Sequence, residues 1–243
     1  MTPPARRGRH ATTFVIVPGI GMSHRYSEPL RLELGRTASV VSLDLPGFAG
    51  FESTPEAERM PVAGRVRAIA AQLDARGITS AVLIGHSMGA QFAVELARLR
   101  PSLVSRLVLM APVVDPRRRT ARQQALDLVR DLFTERPRAA AIVTRDYLRT
   151  GPRRFFGALA AMLAYRTDEA VEQVQCPVLV MRGESDPIAR RAWCDDLARR
   201  AGGARLIEIA GAGHLLQYTA AVEVAREIRA FAAESARSPD GVV

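Results

Sequence analysis

No lysine occurs among the 243 residues, so all 34 basic side chains are arginines. The formal charge of +9 would suit a nucleic-acid or anionic-surface binder. The arginines, however, are spread along helical patterns as solvated faces, and only Arg117-Arg118-Arg119 forms a run. No interleaved aromatic set or nucleic-acid motif goes with them, which argues against that class and leaves steering of acidic substrates as a lesser use of the charge. Cysteine is scarce as well. Cys176 and Cys194 are too few for a disulfide framework, and both are expected to be reduced, Cys176 opening a buried strand and Cys194 lying in an amphipathic helix beside Trp193. Long apolar runs are missing too, since none approaches the roughly 20 residues needed to cross a bilayer. Arg6-Arg7-Gly8-Arg9 ahead of Thr12–Val17 imitates a secretory leader, but the apolar run is short and Pro18-Gly19-Ile20-Gly21 reads as a functional loop rather than a cleavage site. Together these absences predict a cytoplasmic protein, monomeric or homodimeric, without internal repeats, that meets neither membrane nor nucleic acid.

What the chain does have is a rhythm. With 48% hydrophobic residues it buries one large core. Strand-like runs near 13–17, 38–43, 81–84, 106–110, 177–181 and 205–209 alternate with helical patterns. This predicts an α/β fold, a mostly parallel sheet of about six strands with helices on both faces. After Pro61, Val62, Val66, Ile69, Ala70 and Leu73 fall on one helical stripe that ends at Gly77. A last helix from about Thr219 to Glu234 should turn Val222, Ala225, Ile228 and Phe231 or Ala232 inward, and Ser235–Val243 should fray. One stretch breaks the rhythm: from Val113 to about Arg166 there are only helical patterns, interrupted at Pro137 and Gly151-Pro152.

Gly85-His86-Ser87-Met88-Gly89 lies between the apolar run Ala81–Ile84 and the helical pattern from Ala90. The flanks carry more weight than the bare pattern: a serine at a tight strand-to-helix turn, with glycines letting the helix pack close, is a presented nucleophile. A serine hydroxyl needs a base to take its proton and an acid to orient that base. Of four histidines, His10 lies in the basic tail, His24 follows the first strand, His86 adjoins the serine, and His214 sits in Ala210-Gly211-Ala212-Gly213-His214 directly after a strand. His214 is the candidate base. The acid is expected between the two, after the strand Pro177–Met181. Asp186 is preferred, because Pro187 biases it away from helical geometry, with Glu184 a hydrogen-bonding neighbour and Asp115 the reserve acid.

The order Ser87, Asp186, His214 resembles that of the α/β-hydrolase family, and the resemblance covers nearly the whole chain. Val17-Pro18-Gly19-Ile20-Gly21-Met22 resembles the family's oxyanion loop, and Asp44-Leu45-Pro46-Gly47-Phe48-Ala49-Gly50 the loop after its next strand. The resemblance implies that the oxyanion is held by the backbone N–H groups of Met88 and Ile20, with Gly21 as fallback. It departs from the family at Pro18-Gly19, where His-Gly is commoner, and at the first strand, which begins too early to leave room for the antiparallel strands that usually precede it. The core is then 1–112 and 167–243, and 113–166 is a helical cap inserted after the sixth family strand, over the carboxyl ends of the sheet. Phe133, Tyr147, Leu148, Phe155, Phe156, Leu159, Met162 and Tyr165 could line the pocket, with Phe155, Phe156 and Tyr165 chosen as substrate contacts. The resemblance implies hydrolysis of a carboxylic ester or lactone of an apolar small molecule, without metal or organic cofactor. Thioesterase and C–C bond hydrolase chemistry on the same triad, and a receptor that binds without cleaving, are the alternatives.

Overall fold

The computed structural model describes residues 12–52, 54, 60–134 and 137–234, with the backbone alone at 132–134. His10, the amino-terminal arginines and Ser235–Val243 lie outside the described residues. Six strands form one parallel sheet: β1 Thr13–Val17, β2 Ser39–Ser42, β3 Ala81–His86, β4 Val104–Met110, β5 Val178–Gly183 and β6 Arg205–Ile209, in the spatial order β2-β1-β3-β4-β5-β6. Ten helices accompany them among the described residues. They are α1 Glu28–Gly35, α2 Val62–Asp74, α3 Met88–Leu99, α4 Ala121–Thr134, α5 Pro137–Thr150, α6 Pro152–Ala164, α7 Thr167–Ala170, α8 Arg191–Arg200, α9 Leu216–Thr219 and α10 Ala221–Ala233. The central strands are mostly apolar because helices cover both faces, and β3 has every residue buried. α1 packs on α10, α2 on α3, and α8 on β5 and β6.

The chain steps outward from β1 to β2, then crosses back to β3 on the other side of β1. The loops leaving β1 and β3 therefore diverge, and a crevice opens between them at the carboxyl ends of the strands. Gly19 and Ile20 lie on one side of that crevice and Ser87 on the other.

Two details differ from the sequence-based expectation. The last helix is interrupted at Ala220, whose backbone (φ −134°, ψ 35°) leaves the helical region, so α9 and α10 are separate. Val222, expected inward, is 65% exposed. The buried stripe of α10 is Val224, Ala225, Ile228 and Phe231, and at about 100° per residue Val222 lies round the helix from its centre. Both cysteines are free, Cys194 buried and Cys176 half-buried just before β5; burial pushes the Cys176 thiol up to about 11, so it stays protonated. No helix among the described residues is long and apolar enough to cross a membrane.

Candidate active site

Ser87 follows β3 directly and caps α3 with φ +56°, ψ −122°, a left-handed conformation that a serine adopts only when its surroundings force it. The force is visible at the two neighbouring glycines. A Cβ on Gly85 would stand 2.4 Å from the Gly89 carbonyl oxygen, and one on Gly89 would stand 2.3 Å from that of Val17. Only glycine lets α3 approach β3 and β1 this closely, and the close approach makes the turn sharp. Met88 is the first residue of α3; its side chain is buried, and its backbone N–H is among those that a helix start leaves without an intrahelical acceptor.

His214 leaves the loop after β6, with Nδ1 2.8 Å from Asp186 Oδ2. The other Asp186 oxygen accepts the N–H groups of Ile188 at 2.7 Å and Ala189 at 2.9 Å. Burial alone would raise the Asp186 carboxyl; the charge and hydrogen bond of His214, with the Ala189 and Ile188 amides, outweigh it and hold the pKa below the usual carboxylate range. Arg182, buried at the end of β5, ties the turn together by donating to the carbonyls of Ala189 (2.6 Å), Glu184 (3.1 Å) and Asp186 (3.1 Å) while pairing with Glu208. Glu184 accepts the Gly211 N–H at 2.9 Å and so anchors the histidine loop. Asp115 is spent otherwise, capping the turn Pro116–Arg118 by accepting the Arg117 N–H at 3.0 Å.

Ser87, His214 and Ile20 open into one cavity of about 260 Å³, closed above by α4, α5 and α6 and lined chiefly by apolar side chains, with Gln124, Asp131, Tyr147 and Tyr26 as polar points. Phe155, Leu159 and Met162 line it, and so does Phe156, although that residue is 64% exposed at the rim. Tyr165, expected among them, does not line it: its hydroxyl donates to Glu95 at 2.9 Å and its ring packs on the core. Leu148 belongs to an outer cleft of about 480 Å³ between the same helices, and the Phe133 side chain lies outside the described residues. Gly21, the alternative donor, is not in the wall; its carbonyl accepts the Thr150 hydroxyl. Among the described residues no group of three or more His, Cys, Asp or Glu side chains could hold a metal ion.

Several contacts carry no signal in the sequence. Gly19 N–H donates to Tyr26 Oη at 2.7 Å, and Tyr26 Oη lies 2.9 Å from His86 Nδ1. His86 Nε2 in turn lies 2.9 Å from the His214 carbonyl oxygen. From α5, Asp146 accepts Ser23 N–H (2.9 Å) and Oγ–H (2.6 Å), and Thr150 Oγ1 donates to Gly21 O at 2.9 Å and accepts Ala49 N–H at 2.7 Å. No periodicity announces such pairs, because all but the Gly19–Tyr26 bond join segments far apart in sequence.

Known proteins resemble the chain to different extents. The chain is 36% identical over 74 residues to Lipase LipV of Mycobacterium tuberculosis, a match covering 30% of this chain and 28% of that lipase, less than a third of its length. In three dimensions it is similar to the enol-lactonase from Burkholderia xenovorans LB400 (TM-score 0.78, 20% identity, 94% of each chain). It is also similar to Est816, described as an N-acyl homoserine lactone degrading enzyme (TM-score 0.76, 22% identity, 90% of this chain and 93% of that one). With a family model matching residues 14–227, the chain belongs to the alpha/beta hydrolase family.

Proposed function

We propose that the protein is a serine hydrolase that cleaves a carboxylic ester or lactone of an apolar small molecule. One observation carries the reading: a serine held at positive φ on a helix N-terminus and a histidine bonded to a buried carboxylate open into the same apolar cavity. Because Nδ1 of His214 is engaged by Asp186, its Nε2 is the atom that takes the Ser87 proton as Oγ attacks the carbonyl carbon. The oxygen of that carbonyl becomes an anion, held by the N–H groups of Met88 and Ile20; fixed donors of this kind lower a barrier by several kcal/mol. Collapse breaks the acyl–oxygen bond, and His214 returns the proton to the leaving alkoxide. A water molecule then repeats the sequence on the acyl-enzyme, giving acid and free Ser87. Asp186 holds the imidazole in the tautomer that makes this possible and stabilises its charged form. Helices α4–α6 act as a cap that selects the substrate.

The names carried by similar proteins, a lipase, an enol-lactonase and a lactone-degrading enzyme, agree with ester or lactone chemistry. Labelling with a fluorophosphonate followed by mass mapping should place the adduct on Ser87. Ser87→Ala should take no label and should lose at least about a thousandfold in hydrolysis of an apolar ester. Retained labelling or turnover in that variant would sink the assignment. A thioester of the same acyl chain turned over with a far higher kcat/KM than the ester would move the protein to the thioesterases.

A further inference from the structure

The hydrogen bonds around Tyr26 admit a single arrangement of protons. A backbone carbonyl only accepts, so His86 Nε2, 2.9 Å from the His214 oxygen, carries a proton and donates it. Burial, reinforced by the neighbouring His214, holds the His86 pKa down to about 3, so the ring is neutral and its Nδ1 is an acceptor. Tyr26 must then donate to Nδ1 across 2.9 Å, and a lone pair of its oxygen takes the Gly19 N–H at 2.7 Å. The result is a one-way chain from the Gly19 amide through Tyr26 and His86 to the His214 carbonyl. Tyr26 and His86 are 1% and 2% exposed, so water does not compete for these bonds. The chain joins the three segments that bear the proposed chemistry: the loop after β1, the turn that begins at His86 and presents Ser87, and the loop after β6.

We propose that Tyr26 and His86 are positioning residues for the hydrolysis assigned above, fixing the Pro18–Gly19 peptide, which leads directly into Ile20, and the His214 backbone against Ser87. With the Gly19 N–H taken by Tyr26, the tilt of the Pro18–Gly19 peptide is set and the next amide, that of Ile20, is left to face the cavity. With the His214 carbonyl held, the imidazole has one approach to the serine. Neither side chain needs to touch the reacting bond, yet a displacement of about 1 Å at either end is the kind that costs a hundredfold in rate.

Tyr26→Phe keeps the ring and removes both hydrogen bonds. On a short activated ester it should lower kcat roughly tenfold to hundredfold and change KM by less than about twofold. Affinity for a boronic acid, which copies the tetrahedral state, should fall by a similar factor, while affinity for an uncleavable ether analogue of the ester should stay unchanged. A merely structural role would weaken both ligands together. A second measurement needs no variant: nitrogen-15 NMR of the wild-type protein at pH 7 should find His86 as the neutral Nε2–H tautomer. His86 protonated on Nδ1, or Tyr26→Phe matching wild type in kcat and boronic acid affinity, would overturn the proposal. Failure of the underlying serine mechanism is separately visible as turnover surviving in Ser87→Ala.

Discussion

Asp186 spends both carboxylate oxygens, one on His214 and one on two backbone amides. Asparagine has one oxygen to offer, so Asp186→Asn must either give up the amides or turn its NH₂ toward His214 and force the wrong tautomer. Loss of the orienting acid costs about 10⁴ in kcat in serine hydrolases of this logic, and a loss approaching that size is expected here. Asp115→Asn keeps a side-chain oxygen for the Arg117 N–H and should stay within a few-fold of wild type. Measuring kcat for both variants at equal folded content decides; the reverse order would hand the acid's role to Asp115. The sequence could point to Ser87, Asp186 and His214 as candidates because each sits just beyond an apolar run, where a polar side chain stands out. It could not point to Tyr26, His86 or Arg182. Their partners are mostly backbone atoms, and the bond from His86 to the His214 carbonyl spans 128 positions. Only the strand order brings such atoms together.

The elements themselves were legible wherever one physical signal dominated. β1 and β6 occupy the expected residues, and α2 buries the expected stripe, because an apolar run or a 3.6-residue period leaves little choice. The signal failed where alternatives were nearly equal: α10 offered valines at 222 and 224, nearly opposite one another round the helix, and Tyr165, at the end of an apolar helix, had a buried polar partner that no pattern reveals. The same limit concealed what α5 does. A helix inserted between β4 and β5 reads as a selector of substrates, yet Asp146 and Thr150 bind it to the loop that carries Ile20. Thr150→Val, nearly equal in size, removes a donor to Gly21 O and an acceptor for Ala49 N–H. It should therefore reduce kcat/KM roughly tenfold on short and long esters alike. Phe155→Ala on α6 should behave differently, shifting the preference between long and short acyl chains by roughly 1–3 kcal/mol. Specificity constants for acetyl and octanoyl esters separate the two; a chain-length-dependent Thr150→Val effect would mean that α5 only shapes the pocket.

For the molecule as a whole, His86 makes stability depend on pH. Its folded pKa is about 3, whereas a histidine in an unfolded chain titrates near 6.5. Between those values the unfolded chain holds a proton that the folded one does not, so stability rises with pH across that window and falls on acidification. From pH 6.5 to 4.5 the loss should be roughly 2 kcal/mol. Asp186 acts in the same direction but later: its depressed folded pKa contributes stability above about 3.9, lost only as pH drops further. Urea denaturation at pH 7 and pH 4.5 should show the difference, and His86→Gln should flatten it even though that variant starts less stable. Equal slopes in the two proteins would contradict the buried, neutral assignment.

The inner cavity and the outer cleft have walls in common: Leu128, Asp131, Val143, Tyr147, Phe155, Phe156 and Leu215 face both. Substitutions at such positions cannot be tuned for one end of a ligand alone. Two variants selected separately, one for a new acyl group and one for a new alcohol, will meet at the same side chains when combined, and their effects will not add. Changes confined to Val129, Ala140, Thr144 or Leu148, which line the outer cleft and not the inner cavity, can be accumulated in any order.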